Sequence, residues 1–336
     1  MAFKDIPGNP GVKKMLQSAL RNGRLPHALL FCGPAGVYKR ATAFTLAQAL
    51  NCRQSTDDAC GECESCRAIK RSEETGQTWH PDIQELSPEK QVIKIDQVRG
   101  LKEAAYLRPM SARNRVFILS EAERLGEDGA NSMLKVLEEP PPFSYLLLIA
   151  PSVDLLLPTI LSRCRVLNFL PIAREEVERR LREDGQPDDH ARLFSFVAGG
   201  NLEKARELDW DEVRGLRERA WGLVQTMAGE PGAAEALTEF EFRGGDTVRE
   251  AARDEWRERL EVFSSFCRDL LLLHEGGNTT LLFNPDYTGR LRAAAAAFER
   301  RRILEALRGA DAVLAGLPRN LNPTLLVSDF VAGLWS

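Results

Sequence analysis

The rhythm of apolar positions divides the chain near residue 170. Before that point, short unbroken apolar runs alternate with stretches in which apolar residues recur at helical spacing. After Pro171 only the helical spacing continues. Val12, Met15, Leu16, Ala19 and Leu20 mark an amphipathic helix that ends near Gly23. Strands are predicted over 28–32, 83–86, 116–119, 145–149 and 166–169, with helices over 41–50, 95–107 and 128–137. Arg108-Pro109 closes the second of these helices, because proline disfavours helical geometry in the residue before it. Val116-Phe117-Ile118-Leu119 is apolar at every position, as befits a parallel sheet covered on both faces and joined by right-handed crossovers.

Beyond the sheet, helices are predicted over 175–183, 188–197 and 202–208, with Gly199-Gly200 parting the last two. Longer ones follow over 211–227, 248–275, 291–315 and 324–334. Between them lie a looser, Gly-containing segment at 228–246 and a loop at 276–289. The alanine run 293–297 suits close helix packing. The expected organisation is an α/β domain over 1–170, a small helical domain over 171–209 and an all-helical domain over 210–336. A length of 336 residues supports more than one domain, since ~150 is typical of a single one.

Charge changes this picture little. Lys+Arg 45 against Asp+Glu 49 leaves a net charge of -4, which argues against a surface that is basic throughout. No apolar run approaches the ~18 residues of a membrane helix, and Met-Ala-Phe-Lys-Asp lacks a signal-peptide core. A cytoplasmic location with no membrane partner is the expectation.

The chemistry starts at the first strand. Gly33, Pro34, Gly36 and Lys39 stand where a phosphate-binding loop of the form G-x-x-x-x-G-K-[ST] places them. Tyr38 occupies the last glycine position, where the backbone needs unusual dihedrals, and Arg40 replaces the metal-binding hydroxyl. The run 116–119 should deliver an aspartate and then a glutamate to a magnesium site; Glu121 is present, but Ser120 takes the aspartate position. Gly33, Gly36, Lys39 and Glu121 therefore outline a degenerate nucleotide site, and bound ATP is not expected. His27, at a strand entrance, and His80 read as structural.

Cys52, Cys60, Cys63 and Cys66 follow the loop's helix as C-x7-C-x2-C-x2-C, and four thiols at such separations can close a tetrahedral shell around a structural zinc. An iron–sulfur cluster and unligated cysteines are the alternatives that spacing leaves open. Cys32, Cys164 and Cys267 are isolated and read as packing residues.

Further signatures complete the set: Pro26-His27-Ala28-Leu29-Leu30-Phe31, Leu134-Lys135-Val136-Leu137-Glu138-Glu139-Pro140-Pro141, Thr159-Ile160-Leu161-Ser162-Arg163-Cys164 and Asn320-Leu321-Asn322-Pro323. With the four-cysteine module at 52–66, they make the chain resemble the bacterial clamp-loader AAA+ subunits of DNA polymerase III over nearly its whole length. Its first cysteine interval is one residue shorter than the family's.

That resemblance implies an AAA+ P-loop domain with a parallel sheet, a helical lid and a helical collar that ties subunits into a ring. It implies partners as well: delta and gamma/tau subunits in a hetero-pentamer, and through the complex the sliding clamp and primed DNA. Ala150-Pro151 and Glu203 stand where motor subunits carry polar and arginine sensors, so the chain resembles a non-hydrolysing structural member. Locally Arg163 reads as a salt-bridge or solvated residue; the resemblance makes it an arginine finger reaching a neighbour's γ-phosphate. An ATP-hydrolysing motor subunit is the alternative within the family, and a zinc-containing helical adaptor the alternative outside it.

Overall fold

The computed structural model describes residues 2–88, 92–229, 246–317 and 322–335. It falls into two compact units, Met1–Glu176 with Gly200–Leu202, and Val177–Gly199 with Glu203–Ser336. Most of the looser segment expected at 228–246 lies outside the described residues, as do Asn320 and Leu321 of the last signature.

In the first unit, α1 (Pro10–Arg21) precedes β1 (Ala28–Cys32), α2 (Lys39–Asn51), α3 (Glu64–Thr75), β2 (Ile83–Leu86) and α4 (Ile95–Ala105). β3 (Arg115–Leu119), α5 (Glu127–Glu138), β4 (Ser144–Ala150), α6 (Pro158–Leu161) and β5 (Arg165–Asn168) follow. All strand pairs are parallel, and the sheet runs β2-β3-β4-β1-β5. Successive side chains point to opposite faces, so each strand feeds two cores. Leu29, Phe31, Ile118 and Leu147 pack with Leu16, Phe44 and Ile69. Leu30, Phe117, Leu119 and Leu148 pack with Val98, Met133 and Val136 on the other side. Burial on both faces is the reason these strands are apolar at every position. The two outer strands are more polar, and β2 carries Gln84 and Glu85 at half-buried positions.

Helix α3 had no counterpart among the expected elements. Its buried face is Ser65, Cys66, Ile69 and Ser72, so small and polar side chains carry a periodicity that apolar residues usually signal.

Helices make up the second unit, in order α7 (Arg174–Glu183), α8 (Asp188–Val197), α9 (Leu202–Glu207), α10 (Trp210–Met227) and α11 (Asp246–His274). α12 (Thr288–Ala297), α13 (Arg300–Gly316) and α14 (Pro323–Trp335) complete it. α10, α12 and α13 all pack on α11. The single helix expected over 291–315 is in fact two. Phe298 is buried in extended conformation, and the carbonyl of Glu299 restarts the helix by accepting the N–H groups of Arg302 and Ile303. The break buries a phenyl ring and lets α12 and α13 meet α11 independently, whereas one straight rod would fix a single rotation for both.

Candidate functional site

β1 lies between β4 and β5, and its C-terminal end opens into the glycine loop that leads to α2. Two glycines are sterically required there. A Cβ on Gly33 would sit 2.2 Å from the Phe169 carbonyl oxygen, and one on Gly36 would sit 1.7 Å from Oδ1 of Asn201. Tyr38 keeps the left-handed conformation of the glycine it replaces, with φ 63° and ψ 31°. For a residue with a Cβ this costs on the order of 1–2 kcal/mol. Its ring packs against the core on the α2 side of the sheet, which offsets part of that cost. The ammonium of Lys39 donates to the carbonyls of Gly33 and Pro34, bridging the loop to its own backbone.

Arg40 and Ser120, the two departures at metal-ligand positions, converge on a single carboxylate. Nε and Nη2 of Arg40 donate to the two oxygens of Glu85 at 2.7 and 2.6 Å, and Ser120 Oγ donates to Oε1 at 2.7 Å. The guanidinium also donates to the Glu73 carbonyl at 3.1 Å and lies 4.7 Å from the Phe44 ring centroid. The Glu85 hydrogen bond raises the pKa of Arg40 further, outweighing the opposing effect of burial. A fixed cation thus occupies the position from which a hydroxyl would hold magnesium, and its anion is already paired. These residues do not fit a magnesium-nucleotide. Glu85 was not a sequence candidate, although a carboxylate inside a sheet strand calls for a partner; which cation supplies it is set by the fold.

The other nucleotide-site candidates are separately engaged. Glu121 has left-handed backbone, φ 55°, and pairs with Arg124 at 2.8 Å. Ala150 offers its carbonyl to the Gly33 N–H at 3.2 Å, and Glu203 is exposed. Arg163 is exposed just beyond α6, with Nε on Glu138 Oε1 at 2.8 Å and Nη1 on the Thr159 carbonyl at 2.9 Å. Burial pushes the neighbouring Cys164 thiol up to about 12, consistent with a packing role.

Four cysteines come together between α2 and α3. Cys52 caps the end of α2, Cys63 caps the start of α3, and Cys66 lies in its first turn. All four Sγ atoms lie within 4.8 Å of one another, and those of Cys60 and Cys66 are 3.9 Å apart. A tetrahedral ion with metal–sulfur bonds of about 2.3 Å spaces its sulfurs by about 3.8 Å, so the donor set fits a closed four-thiolate centre. Backbone N–H groups of Ser55, Glu62 and Cys63 donate to sulfur, supporting thiolate charge. At Cys63 burial acts upward, but the N–H groups of Arg53 and Cys66 outweigh it and bring the thiol to about 6. Asp58 ties this module to the N-terminus by accepting from the Phe3 N–H and from Gln17.

The two histidines singled out in the sequence, His27 and His80, hold backbone and ring contacts within the fold. His27 Nδ1 lies 3.0 Å from the Ser144 carbonyl, and its ring stacks on Tyr145. His80 accepts the Asp82 N–H on Nδ1, so Nε2 carries the proton toward Ser65 Oγ, 3.3 Å away. Asp82 itself, another residue that sequence reading passed over, takes the N–H groups of Met110, Ser111 and Ala112 at 2.7, 2.7 and 2.9 Å.

A parallel five-stranded sheet with the glycine loop after its interior strand β1, followed by a helical C-terminal region, is the architecture of an AAA+ fold. More narrowly, the chain belongs to the DNA polymerase III clamp-loader family. The family model described as "DNA polymerase III, delta subunit" matches residues 8–173. The chain is 32% identical over 226 residues to DNA polymerase III subunit delta' of Bacillus subtilis (strain 168), covering 67% of each. It is 36% identical over 340 residues to the gamma/tau subunit of Mycobacterium tuberculosis (strain ATCC 25618 / H37Rv), covering 94% of this chain and 57% of that relative's length. The gamma subunit-related protein of Thermotoga maritima aligns in structure with TM-score 0.40 and 18% identity, covering 96% of this chain and 98% of that one.

Proposed function

We propose that this chain is a delta-prime subunit, a non-hydrolysing structural member of the clamp loader that helps place the sliding clamp on primed DNA. The observation that carries this reading is the Arg40–Glu85–Ser120 cluster, in which a guanidinium replaces the metal-ligand hydroxyl and its carboxylate partner is shared with the serine that replaces the acidic ligand. A site built this way has no use for magnesium-ATP. The subunit's contribution to hydrolysis is then Arg163, supplied in trans to a motor subunit beside it. Residues 171–209 serve as the lid and 210–336 as the collar in a hetero-pentamer with delta and gamma/tau, in the cytoplasm. The cysteine cluster holds one structural zinc; its metal-sized spacing and N–H···S contacts support that assignment. Among the described residues no helix is long and apolar enough to cross a membrane.

An ATP-hydrolysing, gamma/tau-like subunit is the second reading, favoured by 36% identity to gamma/tau over 94% of the chain and by the retained Lys39. The two readings part on whether the purified chain alone binds or hydrolyses magnesium-ATP; the trans role is tested by reconstitution of the loader with Arg163→Ala. An arginine supplied in trans neutralises charge growing on the transferring phosphoryl group and is worth on the order of 10³–10⁵ in rate. Hydrolysis at the neighbouring site should fall by at least ~100-fold, and clamp loading with it, while total ATPase falls only in part because other sites keep their own arginines. Arg163→Lys should not rescue, since an ammonium lacks the planar fork. Unchanged loading and hydrolysis at every ATP concentration would refute the trans role.

A further inference from the structure

Two of the sequence signatures meet in space through one ion pair. Glu138 is the last residue of α5, where Pro140 and Pro141 prevent further helix and fix the point at which its carboxylate leaves the surface. Its Oε1 accepts from Nε of Arg163 at 2.8 Å and from Nη2 as well. Nη1 donates to the Thr159 carbonyl at 2.9 Å and to Ser162 Oγ at 3.0 Å. All three guanidinium nitrogens are therefore engaged within the chain. A phosphoryl group bound bidentately takes two adjacent N–H groups of the fork. Of the two sides, the Nε/Nη2 edge is the one that already holds an anion, so the carboxylate of Glu138 and a phosphoryl oxygen are rivals for the same atoms.

We propose that Glu138 is a positioning residue for Arg163, a latch that keeps the guanidinium on its own subunit until the phosphate of a neighbour displaces the carboxylate. The inference rests on Arg163 acting in trans. Exposure makes the latch weak: the two side chains are 32% and 49% accessible, and an ion pair in such surroundings biases an equilibrium by at most about fivefold. A trans arginine contributes on the order of 10³–10⁵ at a phosphoryl group, far more than the latch can withhold. The latch is thus effective when no phosphate is properly placed and negligible once one is. Its consequence is restraint of idle hydrolysis rather than of loading.

The test uses the complete loader reconstituted with Glu138→Gln, which removes the charge and keeps the shape. ATP turnover at the neighbouring site in the absence of DNA and clamp should rise by about two- to fivefold, and total idle turnover by less, with the stimulated rate unchanged and the melting temperature lowered by no more than about 4 °C. Glu138→Asp, retaining the charge, should fall back toward the parent. In the Arg163→Ala background, Glu138→Gln should have no effect. A merely structural glutamate would not raise turnover, nor do so only when Arg163 is present. An idle rate that is unchanged or lower in Glu138→Gln, or a rise that persists without Arg163, overturns the latch. If Arg163→Ala alone changes nothing, the trans arginine itself has failed and the latch fails with it; a deficient Arg163→Ala beside a silent Glu138→Gln refutes the latch only.

Discussion

Replacing Arg40 by threonine restores the hydroxyl of an intact phosphate-binding loop, yet it should destabilise the first unit. The guanidinium makes two charge-assisted hydrogen bonds to Glu85, two contacts to the Glu73 carbonyl and a cation–π contact with Phe44. Charged hydrogen bonds contribute about 1.5–3 kcal/mol. The Arg40 side chain is 41% exposed, so water recovers part of this, while Glu85, at 17%, is left half-buried on the hydroxyl of Ser120. The net loss should be about 1–2 kcal/mol, which lowers the melting temperature of a unit this size by about 2–8 °C. Differential scanning calorimetry resolves it without assuming a single transition for the whole chain. Adding Glu85→Gln to Arg40→Thr should recover about half of the loss, because removing both partners of a pair costs less than stranding one charge. A melting temperature within about 1 °C of the parent for Arg40→Thr, or no recovery in the double variant, would show that the cluster does not hold the site together.

Other expectations follow from the same geometry. Metal analysis of protein purified without chelator should find close to one zinc per chain, and Cys63→Ser should lower the melting temperature while leaving loader ATPase intact, because a closed thiolate shell contributes folding free energy and no catalysis. Lys39→Ala should leave the ATPase of a reconstituted loader within about twofold of the parent; a drop of about tenfold would assign hydrolysis to this subunit. Asp82→Asn should cost about 3 kcal/mol at neutral pH, since it uncharges a fully buried acceptor of three backbone N–H groups and leaves Arg115 buried beside it. Burial pushes the Asp82 carboxyl upward, but those N–H groups and Arg115 outweigh it and hold the pKa below the ordinary value. A depressed carboxyl stabilises the fold above its unfolded pKa of about 3.9 and loses that contribution as pH falls through the lower folded value. Urea titrations should therefore show the gap between parent and variant closing below about pH 4, and a gap constant down to about pH 2 would contradict this account.

The sheet was legible because its strands are buried on both faces, which forces Leu, Ile, Val and Phe into unbroken runs such as Val116–Leu119 that no amphipathic helix would show. The cysteine cluster was legible because ligands from one short segment meet by local folding alone. What escaped was carried by polar side chains. Helix α3 buries Ser65 and Ser72 where a periodicity search looks for Leu. The break at Phe298 depends on the burial its ring finds among neighbouring helices, a tertiary quantity. Glu85 and Glu138 find Arg40 and Arg163 across 45 and 25 residues, and a single sequence does not pair charges at that distance. The local reading of Arg163 as a salt-bridge residue and the family's reading as a finger are both consistent with its pairing to Glu138.

Sequence alone presents Arg40 and Ser120 as two independent injuries to one site. Their shared acceptor makes them one substitution in two parts. In an intact site, the hydroxyl and the carboxylate face the same divalent ion and hold it jointly. Here the positive charge is covalently attached, and the anion has moved one strand outward, from the end of β3 to Glu85 on β2. Each half stabilises the other: Arg40 without Glu85 would be a half-buried cation, and an aspartate at position 120 would crowd a second negative charge against Glu85. It follows that neither single reversion rebuilds a metal site. Arg40→Thr leaves a carboxylate on the wrong strand, and Ser120→Asp sets two carboxylates against one guanidinium. The loop conformation persists regardless, because Gly33 is tied to the Ala150 carbonyl, Lys39 bridges the Gly33 and Pro34 carbonyls and Tyr38 packs against the core, none of which involves a nucleotide.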